Sequence, residues 1–246
     1  MENYDSGCEI SVVIPAYNEA ARIPRTIKST VDYLQGRGVS FEVLVVDDGS
    51  TDETVEVAKK LTHELPEVRC VQNPRNLGKG AAVKNGVMAS RGRLVAFLDA
   101  DNSTRTSDLG RLMEAISRGA QVAIGSRAHR YSVIPVRQPR RRQMAGKVFN
   151  FLCRLGLGLT VSDSQCGFKM FTREAAQEVF PRCIIEGFCF DVEVLFIAGK
   201  KKFRVAEVPV TWTDDRASRV KLVRDSLGMF LGLLKIRLND RRRLYR

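Results

Sequence analysis

Asp99-Ala100-Asp101 places two carboxylates one residue apart, immediately after the apolar run Leu94 to Leu98. Alternation along an extended chain points both the same way, which makes a hard-oxygen site for Mg2+ or Mn2+. Such an ion keeps waters, binds the phosphates of a nucleotide and neutralises charge that develops on a leaving group. The triplet alone also occurs in loops and helix caps, so its context matters. A second acidic pair, Asp47-Asp48, follows the run Phe41 to Val46. Ser50 or Thr51 capping the next helix accounts for part of that segment, but the mutual repulsion of Asp47 and Asp48 needs a hydrogen-bonding or cationic ligand to offset it. A third polar end, Pro15-Ala16-Tyr17-Asn18-Glu19, closes Ile10 to Ile14. There Pro15 blocks further ladder pairing, and Asn18 or Glu19 opens the helix that carries Ile23, Ile27, Val31 and Leu34.

These segments need a scaffold that brings them together. The three runs, with Val68 to Val71 and Val122 to Ile124, alternate with amphipathic stretches. That rhythm predicts βαβ units and an α/β fold, a mostly parallel central sheet flanked by helices. In such sheets ligands sit outside the carboxyl ends of the strands, where all three polar segments fall.

A chain of 246 residues, 44% apolar and 28% charged, is globular and makes one domain or at most two small ones, which excludes disorder and a disulfide-stapled mini-fold. The net charge of +12 is concentrated late: residues 115 to 162 hold nine Lys/Arg and no carboxylate, and residues 216 to 246 hold ten against two. The pattern is that of a site plus a docking surface for an anionic partner. Nucleic acid would explain the charge, but the basic stretches hold few aromatics for base stacking and no RRM, KH or zinc-finger signature. Six cysteines without a CxxC pair predict free thiols in a reducing compartment. No apolar run approaches the ~18 residues of a membrane-spanning helix, and Met-Glu-Asn-Tyr-Asp lacks the features of a signal peptide, so a cytoplasmic location is expected.

The motifs SVVIPAYNE, VLVVDDGSTDET, NLGKGAAVKNG, FLDAD and IGSRAH, in this order and spacing, resemble the nucleotide-sugar-binding half of family 2 glycosyltransferases with the GT-A fold. DSQCGFKMFTREAA, FCFDVEVLFIA and VPVTW followed by Ser218-Arg219 are similar to that family's dolichyl-phosphate β-glucosyltransferase branch, with the mannose synthases as near relatives; the likeness runs over residues 10 to 238. It implies an inverting transfer of a hexose from a nucleoside diphosphate sugar to the phosphate of a long polyprenol, with a divalent cation. It also implies that Pro15, Tyr17 and Glu19 line the nucleoside pocket, that Asp48, beside Asp47, hydrogen-bonds the base, and that Asp99 meets the ribose or the metal's outer shell while Asp101 ligates it. Where the mannose synthases carry a glutamine that reaches the metal, this chain has Ser103, and the glucosyl branch likewise lacks the glutamine; this favours glucose and leaves Ser103 as the candidate third ligand. Arg142 matches the family's acceptor-phosphate arginine. Asp163 and Gln165 begin a loop against the sugar. Asp191 and Glu193 sit on a helix that closes that side or pair with an internal arginine. The resemblance further implies that Arg216, Ser218 and Arg219 belong to a loop over the diphosphate, an electrostatic lid.

The chemistry is consistent with this without the family. A phosphate monoester is already ionised at neutral pH and attacks an anomeric carbon without a strong general base, leaving the protein to position and to stabilise charge. Arg127 and the cluster Arg140, Arg141, Arg142 supply forked donors suited to a phosphate, better than lysine would, although a solvated basic face is the plain alternative for the cluster. Lys79, after Leu77-Gly78 at a helix start, is placed to approach the diphosphate, though Gly78-Lys79-Gly80 is far from a complete P-loop.

Ser218 to Leu238 reads as a helix with Val220, Val223, Leu227, Phe230, Leu234 and Leu238 on one stripe, flanked by Lys221, Arg224, Lys235 and Arg237. An apolar centre with cationic flanks suits an amphipathic helix among anionic headgroups; packing on the core or a dimer is the alternative. Met144 to Leu159 forms a second candidate interfacial element. The sequence therefore reads as an N-terminal tail (1–9), a catalytic domain (10–215, divided into a nucleotide-sugar half at 10–125 and an acceptor half at 126–215) and a basic loop with a membrane-interface helix (216–246). The expected enzyme is a UDP-glucose-dependent polyprenyl-phosphate glucosyltransferase, peripheral on the cytosolic face of a membrane. A GDP-mannose-dependent enzyme on the same lipid and a transferase with a soluble acceptor are the alternatives.

Overall fold

The computed structural model describes residues 7–214 and 222–246, so Arg216, Ser218 and Arg219 lie outside the described residues. Seven strands, β1 (Ile10–Ala16), β2 (Phe41–Asp47), β3 (Val68–Gln72), β4 (Leu94–Leu98), β5 (Val122–Ser126), β6 (Phe168–Thr172) and β7 (Val205–Pro209), form one sheet in the order β3-β2-β1-β4-β6-β5-β7. Eight α-helices cover it: α1 (Ile23–Gly36), α2 (Thr54–Glu64), α3 (Lys79–Ala89), α4 (Leu109–Ser117), α5 (Arg140–Leu157), α6 (Arg173–Val179), α7 (Phe190–Lys200) and α8 (Leu222–Arg241).

The inner strands are near-continuous apolar runs because both faces of the sheet are covered, whereas the edge strands β3 and β7 are only partly buried. Val12 and Ile14 join the core beneath α1, α2 and α4, while Val13 faces the core beneath α3, α5, α6, α7 and α8. α1 buries Ile23, Ile27, Val31 and Leu34, the stripe that its spacing predicts. α7 is buried along nearly its whole length, Asp191 and Glu193 included.

Only β6 runs against its neighbours, pairing antiparallel with β4 and β5. Its register sets Phe168 opposite Leu98, so the segment leading into β6 arrives at the edge where β1, β2, β4 and β5 end. β7 pairs parallel with β5, Pro209 against Ser126, and delivers Trp212 and Asp214 to the same edge. One reversed strand thus gathers six segments around one opening.

Two local expectations change. α1 begins at Ile23 with Arg22 at the cap, so neither Asn18 nor Glu19 opens it. Asn18 takes a left-handed conformation (φ 55°), and its side-chain oxygen accepts from the backbone N–H of Thr51 and Asp52. α2 begins at Thr54, and Asp52 rather than Ser50 or Thr51 accepts from the Thr54 N–H (3.0 Å). Ser50 instead accepts from the Asn18 N–H. The two loops are stitched to each other, which fixes the rim that the first two strands present.

Candidate functional site

A cavity of about 1030 Å³ opens at the gathered edge. Pro15, Tyr17, Glu19, Asp48, Lys79, Asp99, Asp101, Ser103, Arg127, Arg141, Arg142 and Gln165 all line it. Asp47 and Asp163 stand behind it.

Asp47 shows why the acidic pair is tolerated. Its carboxylate accepts from the N–H groups of Gly49 and Ser50 and closes the turn after β2. Asp48 accepts from the Asn73 side-chain amide (2.8 Å) and from the N–H groups of Leu77 (3.0 Å) and Gly78 (2.7 Å). It therefore holds the segment that leads into Lys79, and it also lines the cavity. Gly78 has φ 102° and packs its Cα on the Glu186 carbonyl, where a Cβ would collide; any larger residue would unseat the start of α3. Glu19 is neutralised by Arg22, which reaches it through two guanidinium nitrogens.

Asp99 and Asp101 lie in a turn beyond β4, so strand alternation does not orient them. Their arrangement comes instead from Asn102 at φ 55° and from Asp101 accepting the Ser103 N–H (2.9 Å). Asp99 packs against Gly167, where a Cβ would overlap its carboxylate. Lys79 Nζ lies 2.6 Å from Asp99 Oδ1. Burial alone would depress the Lys79 ammonium, but Asp99, then Asp191 and Asp101, raise it above the ordinary lysine value. Burial and then the Asp99 charge raise the Asp101 carboxyl above the usual range, against the Ser103 hydrogen bonds that lower it. Two carboxylates that repel each other and are partly balanced by an ammonium form a donor set that fits a hard divalent cation, which takes few protein oxygens and completes its shell with water and phosphate. Ser103 turns its polar groups to Asp101.

Arg127 is gripped by Asp163 through Nε (2.7 Å) and Nη2 (2.8 Å), and its backbone N–H reaches the same carboxylate. Burial raises the Asp163 carboxyl, and Arg127 more than reverses this, leaving it below the usual carboxylate range. The Arg127 guanidinium also stacks 5.4 Å from the Trp212 ring centre. Asp163 thus positions Arg127 instead of meeting a ligand itself. Asp163→Asn is expected to cost about 3 kcal/mol of stability, because it strands a partly buried guanidinium without its counter-charge; urea unfolding at pH 7 measures it. As the folded-state value is depressed, the pair's contribution is present at neutral pH and is lost as pH falls below about 4. An unchanged midpoint would show that solvent already compensates Arg127.

Asp191 forms a buried ion pair, the second of its two alternatives, with Lys169 in place of an arginine. Glu193 is structural: it accepts from the N–H groups of Ile184 and Ile185 and from the Tyr245 hydroxyl (2.6 Å). The sequence reading missed Trp212 and Asp214. Trp212 stood in a quoted motif without a role, and Asp214, 3.8 Å from Arg142, carried no signal outside its place after β7.

Two helices add apolar side chains to the lining of the cavity: Met144, Val148, Phe149 and Leu152 of α5, and Met229 and Phe230 of α8. Outside it, α5 exposes Phe151 and Leu155, and α8 exposes Leu231, Leu234 and Leu238, while Leu233 and Ile236 pack inward. No helix among the described residues is long and apolar enough to cross a membrane.

The glycosyl transferase family 2 model matches residues 11–180, more than half of the chain. A dolichyl-phosphate beta-glucosyltransferase of Trichomonas vaginalis is 37% identical over 220 residues, covering 85% of this chain and 65% of that protein. The Saccharomyces cerevisiae dolichyl-phosphate beta-glucosyltransferase is 36% identical over 252 residues, covering 93% of this chain and 74% of its own length. The chain thus spans about two thirds to three quarters of these relatives. Among solved structures, glucosyl-3-phosphoglycerate synthase from Mycobacterium tuberculosis, in complex with Mn2+, UDP and glucosyl-3-phosphoglycerate, superposes with a TM-score of 0.70 at 22% identity, covering 95% of this chain and 81% of that one. That likeness concerns the fold.

Proposed function

This chain belongs to glycosyltransferase family 2, and from that premise we propose that it moves glucose from UDP-glucose to a dolichyl or other polyprenyl phosphate at a membrane surface, giving the β-linked lipid phosphate sugar. The observation that carries the reading is one cavity with two chemistries. A carboxylate pair, a lysine and three arginines line it together with apolar side chains of α5 and α8. A soluble acceptor has no use for the apolar side chains.

In this reading Pro15, Tyr17, Glu19 and Asp48 receive the nucleoside, and Asp99 and Asp101 would hold a divalent cation, which would supply positive charge to the leaving diphosphate. Lys79 adds a charge on the same side. Arg127, Arg141 and Arg142 hold the acceptor phosphate, and Gln165 faces the sugar. One acceptor oxygen bonds to the anomeric carbon from the face opposite the UDP, the bond from that carbon to the β-phosphate oxygen breaks, and its electron pair leaves with UDP. Inversion follows from the single displacement. No base is needed because the nucleophile is already an anion. The identity of the relatives supports glucose and the lipid phosphate, and the apolar stripes of α5 and α8 support a peripheral membrane location.

The test is transfer of radiolabel from UDP-glucose and, separately, from GDP-mannose into dolichyl phosphate in detergent micelles with Mg2+ or Mn2+. Label in the organic phase from UDP-glucose alone is the expected result; label from GDP-mannose alone would overturn the donor. Arg142→Ala is expected to raise the KM for polyprenyl phosphate about tenfold or more, with UDP affinity unchanged, since a forked charge-assisted contact to phosphate is worth about 1.5–3 kcal/mol. Equal KM values would move the acceptor phosphate to another arginine.

A further inference from the structure

We propose that Lys79 is the resident counter-ion of the Asp99–Asp101 site in the ligand-free enzyme, so that a divalent cation enters together with a nucleoside diphosphate and not before it. The inference rests on the metal reading above and adds an order of binding to it.

The geometry points to a side chain that moves on a backbone that does not. The Lys79 backbone is clamped on both sides: the Gly78 N–H bonds to Asp48 and the Gly80 N–H to the Glu186 carbonyl (2.6 Å). The side chain beyond it is a flexible four-carbon stem, whose ammonium rests on Asp99 and 5.8 Å from the Phe190 ring centre. Lys79 is the cation in direct contact with Asp99, Arg127 acts on it electrostatically, and Gly167 packs against its carboxylate. A divalent ion arriving alone meets a carboxylate that is already paired. It must displace the ammonium from Asp99, while Asp191, which also acts on Lys79, is already bound to Lys169. A diphosphate removes that obstacle, because its oxygens take up the displaced ammonium while they ligate the incoming ion. Asp48 ties the device to the nucleoside end, since the carboxylate that faces the nucleoside also holds the turn from which Lys79 springs.

Binding of Mn2+ to the full chain, followed by the electron paramagnetic resonance signal of free Mn2+ with and without UDP, tests this directly. For the unaltered protein, UDP is expected to tighten Mn2+ binding strongly. In Lys79→Met, Mn2+ alone is expected to bind at least tenfold more tightly than to the unaltered protein, and the gain from UDP to shrink by a comparable factor. Lys79→Arg, which keeps the charge, is expected to behave as the unaltered protein, which separates charge from any disturbance of the α3 start. If UDP promotes Mn2+ uptake by the unaltered protein but Lys79→Met gains no affinity for Mn2+ alone, the counter-ion role is overturned while the metal site stands. If no variant takes up Mn2+ with or without UDP, the metal reading falls and this inference with it.

Discussion

Asp101→Ala is expected to lower sugar transfer by about 10³-fold and to abolish Mn2+-dependent UDP binding, while leaving the fold intact. The size follows from what the residue does: a preorganised charge aimed at a developing anion contributes about 10²–10³ in rate, and losing the ion removes that whole contribution together with part of the donor's affinity. The fold should survive because Asp101 accepts only from its own turn, through Ser103, and relieves like-charge repulsion with Asp99 when removed. Isothermal titration with UDP in Mn2+ and in EDTA measures the effect. Burial and then Asp99 hold the Asp101 carboxyl above its ordinary range, so in the free enzyme the acid limb of Mn2+-dependent UDP binding should lie above the ~4 of a free aspartate. Binding is full above that limb and is lost as pH falls through it. Mn2+-dependent UDP binding retained by Asp101→Ala would remove the carboxylate pair from the metal's coordination.

How much of this was legible follows from which interactions are local. The five expected strands form, because each is a short run dominated by apolar residues, and all but β3 are almost wholly buried. β6 and β7 are harder to see: β6 carries Lys169 and β7 carries Glu207 and Pro209, charged and ladder-breaking residues that a single-sequence pattern reads as loop. Lys169 is tolerated there because Asp191, on a helix 22 residues later, neutralises it inside the core. No window of sequence contains that pair.

The site divides in the same way. Residues at strand ends, such as Asp48, Asp99 and Asp101, reach the cavity as the strand-end rule requires. What the rule cannot supply is what each carboxylate touches. Asp163 and Arg127 both carried catalytic expectations, yet they lie 36 residues apart in sequence and are spent largely on each other. The Asp99–Lys79 pair is of the same kind, formed only when the end of β4 meets the start of α3.

Glutamate at Leu155 and Leu234 together is expected to weaken binding to anionic vesicles by about 10³-fold. Both side chains are exposed in the folded chain, at 75% and 54%, one on α5 and one on α8, so the folded state loses little by their replacement. At a membrane each would bury apolar surface worth roughly 1 kcal/mol, a part of the 1.5–3 kcal/mol of a fully buried leucine. Each new carboxylate adds repulsion of about 1 kcal/mol from an anionic surface. The four contributions approach ~4 kcal/mol, or three decades in partition at about 1.4 kcal/mol per decade. Co-sedimentation with phosphatidylserine-containing vesicles reads the effect, and transfer to a short-chain polyprenyl phosphate in solution should stay within a few-fold, since neither leucine lines the cavity. The stripes could also meet a second copy of the chain. A double variant that still binds vesicles but elutes at a smaller size in gel filtration would assign them to that contact, and the lipid would then have to reach the cavity by another face.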